Sequence, residues 1–179
     1  MFTTLRNAWK IPELRKKILF TLFVLLIYRL GSCVPVPYVN TAALTTYFTE
    51  SLSNTVLGLY NAMSGSAFSQ ATVFALGIQP YINASIIIEL LAIAIPALER
   101  LAKEEGEEGQ KKIQRITRYT TVGLALLMGF AYYVMLKNYN LLNETGFLAG
   151  LVIVVTFMAG ASFLMWMGEQ IDQFGIGNG

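Results

Sequence analysis

The chain alternates long apolar runs with short polar stretches, and one of these runs is interrupted in an unusual way. Between residues 55 and 96, a short apolar segment is followed by a glycine and serine break, then by a second apolar run containing Gly77 and Pro80. Proline removes a backbone donor, so in lipid the freed carbonyl needs a partner in protein or water. The pattern predicts a helix that lines something rather than a simple membrane anchor.

The short apolar segment predicts a half-helix. Val56, Leu59, Tyr60 and Met63 recur at helical spacing, so one face is apolar over about two turns. Spanning needs about 20 residues, because a helix rises about 1.5 Å per residue through about 30 Å of hydrocarbon. A half-helix joined to a broken full helix is typical of a pathway at the membrane midplane. A proline-kinked helix in an ordinary bundle would carry the same pattern.

Three other apolar runs predict transmembrane helices at 18–34, 119–136 and 147–167, each near the required length. Between the first of these helices and the half-helix, Pro35 and Pro37 predict that the chain is extended where it leaves the first helix. The last two runs contain small residues that let helices approach closely, which predicts that they pack together. These small residues are Gly123, Gly129, Gly146, Gly150, Ala159, Gly160, Ala161 and Ser162.

Composition places the protein in the membrane class. The chain is 55% hydrophobic and 13% charged, whereas a soluble domain carries about 25% charged residues. There is no histidine and a single cysteine, so the usual zinc sites are excluded. The acidic run at 104–108 lacks the ligand spacing of an EF-hand, and no Gly-x-x-x-x-Gly-Lys sequence is present. No catalytic residue, metal or cofactor is therefore predicted.

Lysine and arginine indicate the orientation. Basic residues cluster before the first run and in the charged loop 97–118, and only Lys137 lies in a loop on the opposite side. Both termini are therefore predicted to be cytoplasmic. Arg29 lies inside the first apolar run. It either snorkels to the interface, or faces a polar interior or pins a partner loop.

Several blocks of sequence resemble the SecY family of bacterial protein-translocation channels, from about residue 13 to the last residue. The blocks are YRLGSCVPVP, YNAMSGSAFSQ, FALGIQPYINASIIIELL, EEGEEGQKKIQRITRY and FLMWMGEQIDQFGIGNG. Members of the family have ten spanning helices in two pseudo-symmetric halves that open like a clamshell, with a lateral gate toward lipid. The resemblance implies an all-α integral membrane protein. It would be one half of the clamshell, with four transmembrane helices and a short re-entrant plug half-helix.

The resemblance also divides the chain. The expected segments are a cytoplasmic amino-terminal segment 1–17, transmembrane helix 1 at 18–34, an external loop 35–70 with the plug at about 55–68, transmembrane helix 2 or gate helix at 71–96, a cytoplasmic loop 97–118, transmembrane helix 3 at 119–136, an external loop 137–146, transmembrane helix 4 at 147–167, and a cytoplasmic tail 168–179.

Functional residues follow by position within the matching blocks. Ile78 and Ile82 match the ring of aliphatic side chains at the constriction of the family's channel. An apolar ring excludes water and ions by dewetting, yet deforms around a chain of any sequence. The plug residues are Tyr60, Asn61, Ala62, Met63, Ser64, Gly65 and Ser66. The lateral-gate residues are Asn83, Ile86, Ile87 and Leu90.

The implied function is passive conduction of unfolded secretory chains and lateral release of apolar segments into lipid, in the bacterial inner membrane. The chain would not be an enzyme, since energy comes in this family from the ribosome or the motor ATPase SecA. The implied partners are the subunits SecE and SecG, SecA, the ribosome, a nascent chain with a signal sequence, the lipid bilayer and the carboxyl-terminal half of the channel.

Three positions depart from the family. Plugs often have two glycines where this chain has Gly65 and Ser66, and a basic residue is frequent at Gln70. Glu89 occupies a usually uncharged position on the gate helix. Because an unpaired carboxylate in lipid is costly, we expect it near the cytoplasmic end or beside a basic residue.

Two other functions fit parts of the pattern. A secondary transporter uses broken helices, but would need a charged or polar substrate site at the midplane. A purely structural four-helix membrane protein would tolerate replacement of Pro80 and Ile82.

Overall fold

A computed structural model describes residues 9–103 and 106–179, and these residues fold into helices. In chain order we number the α-helices α1 (Pro12–Gly31), α2 (Thr41–Tyr47), α3 (Val56–Met63), α4 (Gln79–Ala94), α5 (Pro96–Lys103), α6 (Gly106–Asn138) and α7 (Phe147–Phe174), with a π-helical turn Phe48–Leu52 after α2. Extended structure in the described ranges is limited to two isolated β-bridges. The predicted all-α class is confirmed.

Two of the described helices, α6 and α7, are long and apolar enough to cross a membrane. The apolar helix α4 has 16 residues, which corresponds to about 24 Å at 1.5 Å per residue and is short of the hydrocarbon thickness. Helix α1 has 20 residues, but its first turns carry Arg15, Lys16 and Lys17. Length and composition thus support membrane spanning directly for the last two of the four predicted spans.

Helices α6 and α7 pack against each other through small residues. A Cβ on Gly129 would lie 3.3 Å from the Cβ of Phe157, and a Cβ on Gly150 would lie 2.7 Å from the Tyr133 ring. Close packing is therefore confirmed at these two glycines. The prediction of close packing is wrong for Gly123 and Gly146, where an added Cβ would meet nothing within 4 Å.

An ion pair also joins the two long helices. The Arg118 Nε donates to Glu169 Oε1 at 2.6 Å. Because both side chains keep contact with solvent, the pair contributes little to stability by itself. Together with the packing at the glycines, it fixes α6 and α7 as one unit.

The structure differs from the sequence prediction at residues 71–78. We expected a helix from residue 71 that is broken at Gly77 and Pro80, but this stretch forms turns and α4 begins at Gln79. Pro80 therefore lies in the first helical turn, where a missing N–H leaves no intrahelical bond unmade and the fixed φ favours helix. Gly77 precedes it with φ +57°. The proline starts a helix rather than kinking one.

The charged loop also differs from expectation. The stretch 97–118 was expected to be a cytoplasmic loop between two membrane spans. Instead α5 ends at Lys103, and Gly106 with φ +54° begins α6, which continues unbroken through Gly109 into the third predicted span. The packing of α6 along α4, α5 and α7 explains this, because tertiary contacts outweigh the roughly 1 kcal/mol that glycine costs in a helix.

Residues 64–78, which we call the connecting segment, run through the interior between α1, α6 and α7. Ala71 and Ala75 are fully buried, and Phe74 stacks on Tyr28 of α1 with ring centroids 5.9 Å apart. On the other side, the Val73 carbonyl lies so close to Gly160 of α7 that any Cβ there would overlap it. Irregular backbone thus occupies the centre of the bundle.

Replacing Gly160 with alanine should lower the stability of the protein by about 1–3 kcal/mol, because the methyl group overpacks against the Val73 carbonyl. Thermal unfolding of the detergent-solubilised protein measures the effect. Gly123→Ala is the matched control. It adds the same methyl group to a glycine in open space and should leave Tm unchanged or slightly raised. Equal Tm values for the two variants would contradict the packing argument.

Candidate functional site

A cavity of about 260 Å³ lies between α1, α3, α4 and α7. It brings together residues that the sequence analysis assigned to two different parts of a site. Ile78 and Ile82, at the start of α4, face the cavity together with Tyr60, Met63 and Ser64 from α3 and its final turn. Tyr28 of α1 and Met167 of α7 complete the wall. The lining is mainly apolar, and its polar side chains are those of Tyr28, Tyr60, Ser64 and Gln79.

Helix α3 ends in a turn that its sequence specifies. The Gly65 N–H donates to the Ala62 carbonyl at 3.2 Å, and the Ser66 N–H donates to the Asn61 carbonyl at 2.9 Å. This is the Schellman arrangement, which needs a left-handed residue directly after the helix cap. Gly65 supplies it with φ +63°. Ser66 is also left-handed, with φ +70°, which is uncommon for a residue with a Cβ.

Side chains of α3 fix the half-helix to the connecting segment. The Tyr60 hydroxyl donates to the Leu76 carbonyl, and Asn61 Oδ1 accepts a hydrogen bond from the Ser69 N–H at 2.8 Å. Ser64 Oγ accepts another from the Phe68 N–H at 3.2 Å. These bonds hold α3 beside the start of α4, so the half-helix and Ile78 share one cavity.

A column of aromatic rings extends from α3 into the bundle. Tyr60 meets Phe68 edge-on at 5.1 Å, Phe68 stacks on Tyr132 of α6 at 4.6 Å, and Tyr132 meets Phe157 of α7 at 4.9 Å. The Tyr132 hydroxyl also donates to the Phe68 carbonyl. Sequence reasoning missed Phe68 and Tyr132 as supporting residues, since nothing local to either one marks the pairing.

Helix α4 has two faces with different environments. Pro80, Ala84 and Ile88 are buried, on a helix that packs mainly along α6. On the other face Ile82, Ile86 and Leu90 are 39%, 51% and 62% exposed. Of the remaining predicted gate residues, Ile87 is exposed and Asn83 half-buried. The predicted ring and gate residues thus lie mostly on one side of one helix, away from α6.

The predicted plug residues form α3 and its final turn. Tyr60 and Asn61 are half-buried and Ser64 is buried, whereas Ala62, Met63, Gly65 and Ser66 are exposed. Of the apolar stripe that predicted this helix, Val56, Leu59 and Met63 are 82%, 66% and 71% exposed. Val56 and Leu59 therefore contribute no packing to the described part of the protein. Met63 lines the cavity while staying largely exposed, and Tyr60 alone of the stripe packs against the core.

Two charged residues singled out from the sequence have different surroundings. Arg29 of α1 lies beside Gly65, with Nη1 3.0 Å from the position that a Cβ there would take. Glu89 is exposed on α4, and within the described ranges no basic side chain forms an ion pair with it. Arg29 therefore lies beside the turn that ends α3, and both charged side chains are exposed.

Polar chemistry is sparse around the cavity. No group of three or more histidine, cysteine, aspartate or glutamate side chains in the described residues is arranged to hold a metal ion. Outside the predicted spans, a hydrogen bond that the Tyr47 hydroxyl donates to Tyr139 raises the pKa of Tyr47 above its usual value. This contact joins the end of α2 to the turn after α6, and neither residue lines the cavity.

Comparison with known proteins identifies the relationships of the chain. A family model described as SecY matches residues 72–179. The protein translocase subunit SecY of Streptomyces scabiei is 44% identical over 190 residues, covering 100% of this chain and 43% of that protein. The subunit of the same description from Aquifex aeolicus is 42% identical, covering 98% and 42%. The chain thus spans less than half the length of these relatives.

Two solved structures share the fold. Sec61 in the canine ribosome-channel complex from the endoplasmic reticulum superposes with a TM-score of 0.60 at 18% identity, covering 97% of this chain and 38% of that chain. A protein-conducting channel superposes with a TM-score of 0.57 at 19% identity, with the same coverage. At these identities the likeness concerns the fold.

Tyr132→Phe tests the support of the site. The change removes the hydroxyl donor to the Phe68 carbonyl while keeping the ring stack, and should lower stability by about 0.5–1.5 kcal/mol. Thermal unfolding in detergent is the measurement. Tyr133→Phe is the control, because the Tyr133 hydroxyl forms no hydrogen bond to any residue that the structure describes. A Tm loss of equal size in both variants would show that the bond to the connecting segment is not responsible.

Proposed function

This chain belongs to the SecY family, and we propose that it forms the amino-terminal half of the central channel subunit of a bacterial protein translocase. In this proposal unfolded secretory polypeptides cross the membrane past Ile78 and Ile82. The half-helix at about 55–68 is the plug, and the exposed face of α4 borders the lateral gate through which apolar segments enter lipid.

The observation that supports this proposal most directly is the shared cavity. Side chains from the ring position and from the plug position line one apolar space of about 260 Å³, although they are separated by the connecting segment. An apolar constriction next to a short half-helix suits passage of a polypeptide, since apolar contacts are not directional and tolerate any sequence. A solute transporter would instead need convergent polar groups in the same place.

The proposed assembly extends beyond this chain. The carboxyl-terminal half of the channel would close the pore and carry the other side of the gate, with SecE and SecG alongside. SecA or the ribosome would supply the nascent chain with its signal sequence, together with the energy. The basic clusters at the amino terminus and in 97–118 support cytoplasmic termini in the bacterial inner membrane. The proposed segments are those expected from the sequence, with the gate helix starting at Gln79.

A photo-crosslinker at position 82 of the full-length channel should label a ribosome-stalled secretory chain. The label should move along the nascent chain as the chain lengthens, because Ile82 lines the cavity and is 39% exposed. Position 88 is the matched control on the same helix. Ile88 is 4% exposed and on the opposite face, so its probe should label only neighbouring helices. A probe at position 82 that labels only lipid or helices while the chain is inserted would contradict the channel assignment.

A further inference from the structure

The last turn of α1 contacts the turn that ends α3. Arg29 Nη1 lies 3.0 Å from the position of a Cβ on Gly65, and the Tyr28 hydroxyl donates to the Ser64 carbonyl at 3.4 Å. Tyr28 is itself held by stacking on Phe74. Two successive residues of one helix thus meet the carboxyl-terminal end of the half-helix, which lies far away in sequence.

The charge of Arg29 suits that position. The Schellman turn pairs the Asn61 and Ala62 carbonyls, but the carboxyl-terminal end of a helix still carries a partial negative charge, which a nearby cation stabilises. Arg29 forms no ion pair with a carboxylate of the described residues, and its Nη1 lies beside Gly65, the residue directly after the cap of α3. Gly65 leaves room for the approach, because a Cβ there would lie only 3.0 Å from the Arg29 nitrogen.

We propose that Arg29 is a positioning residue that holds the half-helix α3 in its resting place by this contact with its carboxyl-terminal end. The inference rests on the proposed function, in which α3 is the plug that must leave for a chain to pass. When α3 moves away, the guanidinium loses the helix end. The contact therefore favours the closed channel over the open one, and its removal should raise the leak of the resting channel.

Tyr28 acts beside Arg29 in a different way. Its hydroxyl bond to the Ser64 carbonyl is long, at 3.4 Å, so it contributes less than a hydrogen bond of ordinary length. Its ring also forms part of the cavity wall. Removing only the hydroxyl keeps this wall and the stack on Phe74, and separates the polar contact from the packing.

The experiment measures chloride efflux from vesicles that contain the full-length channel with no translocating chain. Arg29→Gln should raise efflux about two- to fivefold, the change expected for loss of one cation at a helix end. Arg29→Lys keeps the charge and should stay near the wild-type rate. Lys16→Gln removes a charge at the other end of the same helix and should also leave efflux unchanged. High salt should narrow the difference between Arg29→Gln and wild type, because it screens the exposed charge.

Efflux from Arg29→Gln equal to that of wild type would overturn the inference. So would an Arg29→Lys variant as leaky as Arg29→Gln, because the charge would then have no role. If Arg29→Gln does not assemble, Arg29→Met decides: a rise in efflux supports the contact, and an unchanged rate overturns it. Secretory-protein transport in the same vesicles keeps the two proposals apart. If the probe at position 82 of the channel with Arg29 intact does not label the nascent chain, the channel assignment is refuted. Normal transport with unchanged efflux in the Arg29 variants refutes only the role of Arg29.

Discussion

The irregular backbone of the connecting segment can occupy the centre of the bundle only if its polar groups are paired there. An unsatisfied backbone group costs several kcal/mol in a lipid environment. The Val36 N–H donates to the Ala71 carbonyl at 2.9 Å, and the Val73 N–H donates to the Val34 carbonyl at 3.0 Å. These two bonds pair the connecting segment with the chain that follows α1. Asn61, Ser64 and Tyr132 supply side-chain partners from α3 and α6. The position of the half-helix depends on this pairing, because the same bonds that satisfy the segment also attach α3.

This constraint explains why the site is built from parts of the chain with such different conformations. A continuous helix from residue 71 would satisfy its own backbone groups, and would then not need backbone hydrogen bonds from α1, α3 or α6. Because the helix begins only at Gln79, the backbone donors and acceptors of the connecting segment need hydrogen-bond partners from neighbouring elements. The cavity is the space that remains where α3, the first turn of α4 and α7 cannot fill the gap around this segment. In our proposal that space is the resting form of the passage.

Some of this architecture could be predicted from the sequence and some could not. Periodicity and length predicted the half-helix and the two long helices, and the bounds of α3 fall inside the predicted 55–68. Gly77 and Pro80 correctly indicated a break, but the sequence does not show whether proline kinks a helix or starts one, because that depends on where the preceding residues pack. The grouping of Ile78 and Ile82 with Tyr60 and Met63 came from family resemblance. The bond from Tyr132 to Phe68 joins residues 64 apart, and no local pattern predicts such a pair.

The close approach of Val73 to Gly160 has a consequence for biogenesis. Ribosomes add residues in order, so the connecting segment leaves the exit tunnel long before Gly160 exists. Until α7 arrives, the Val73 side of the segment has no protein cover, and its polar backbone favours water or the headgroup region over hydrocarbon. The contact between the Val73 carbonyl and Gly160 can therefore form only after α7 has been synthesised. The connecting segment is thus synthesised early, but its Val73 side is covered only when α7 packs against it.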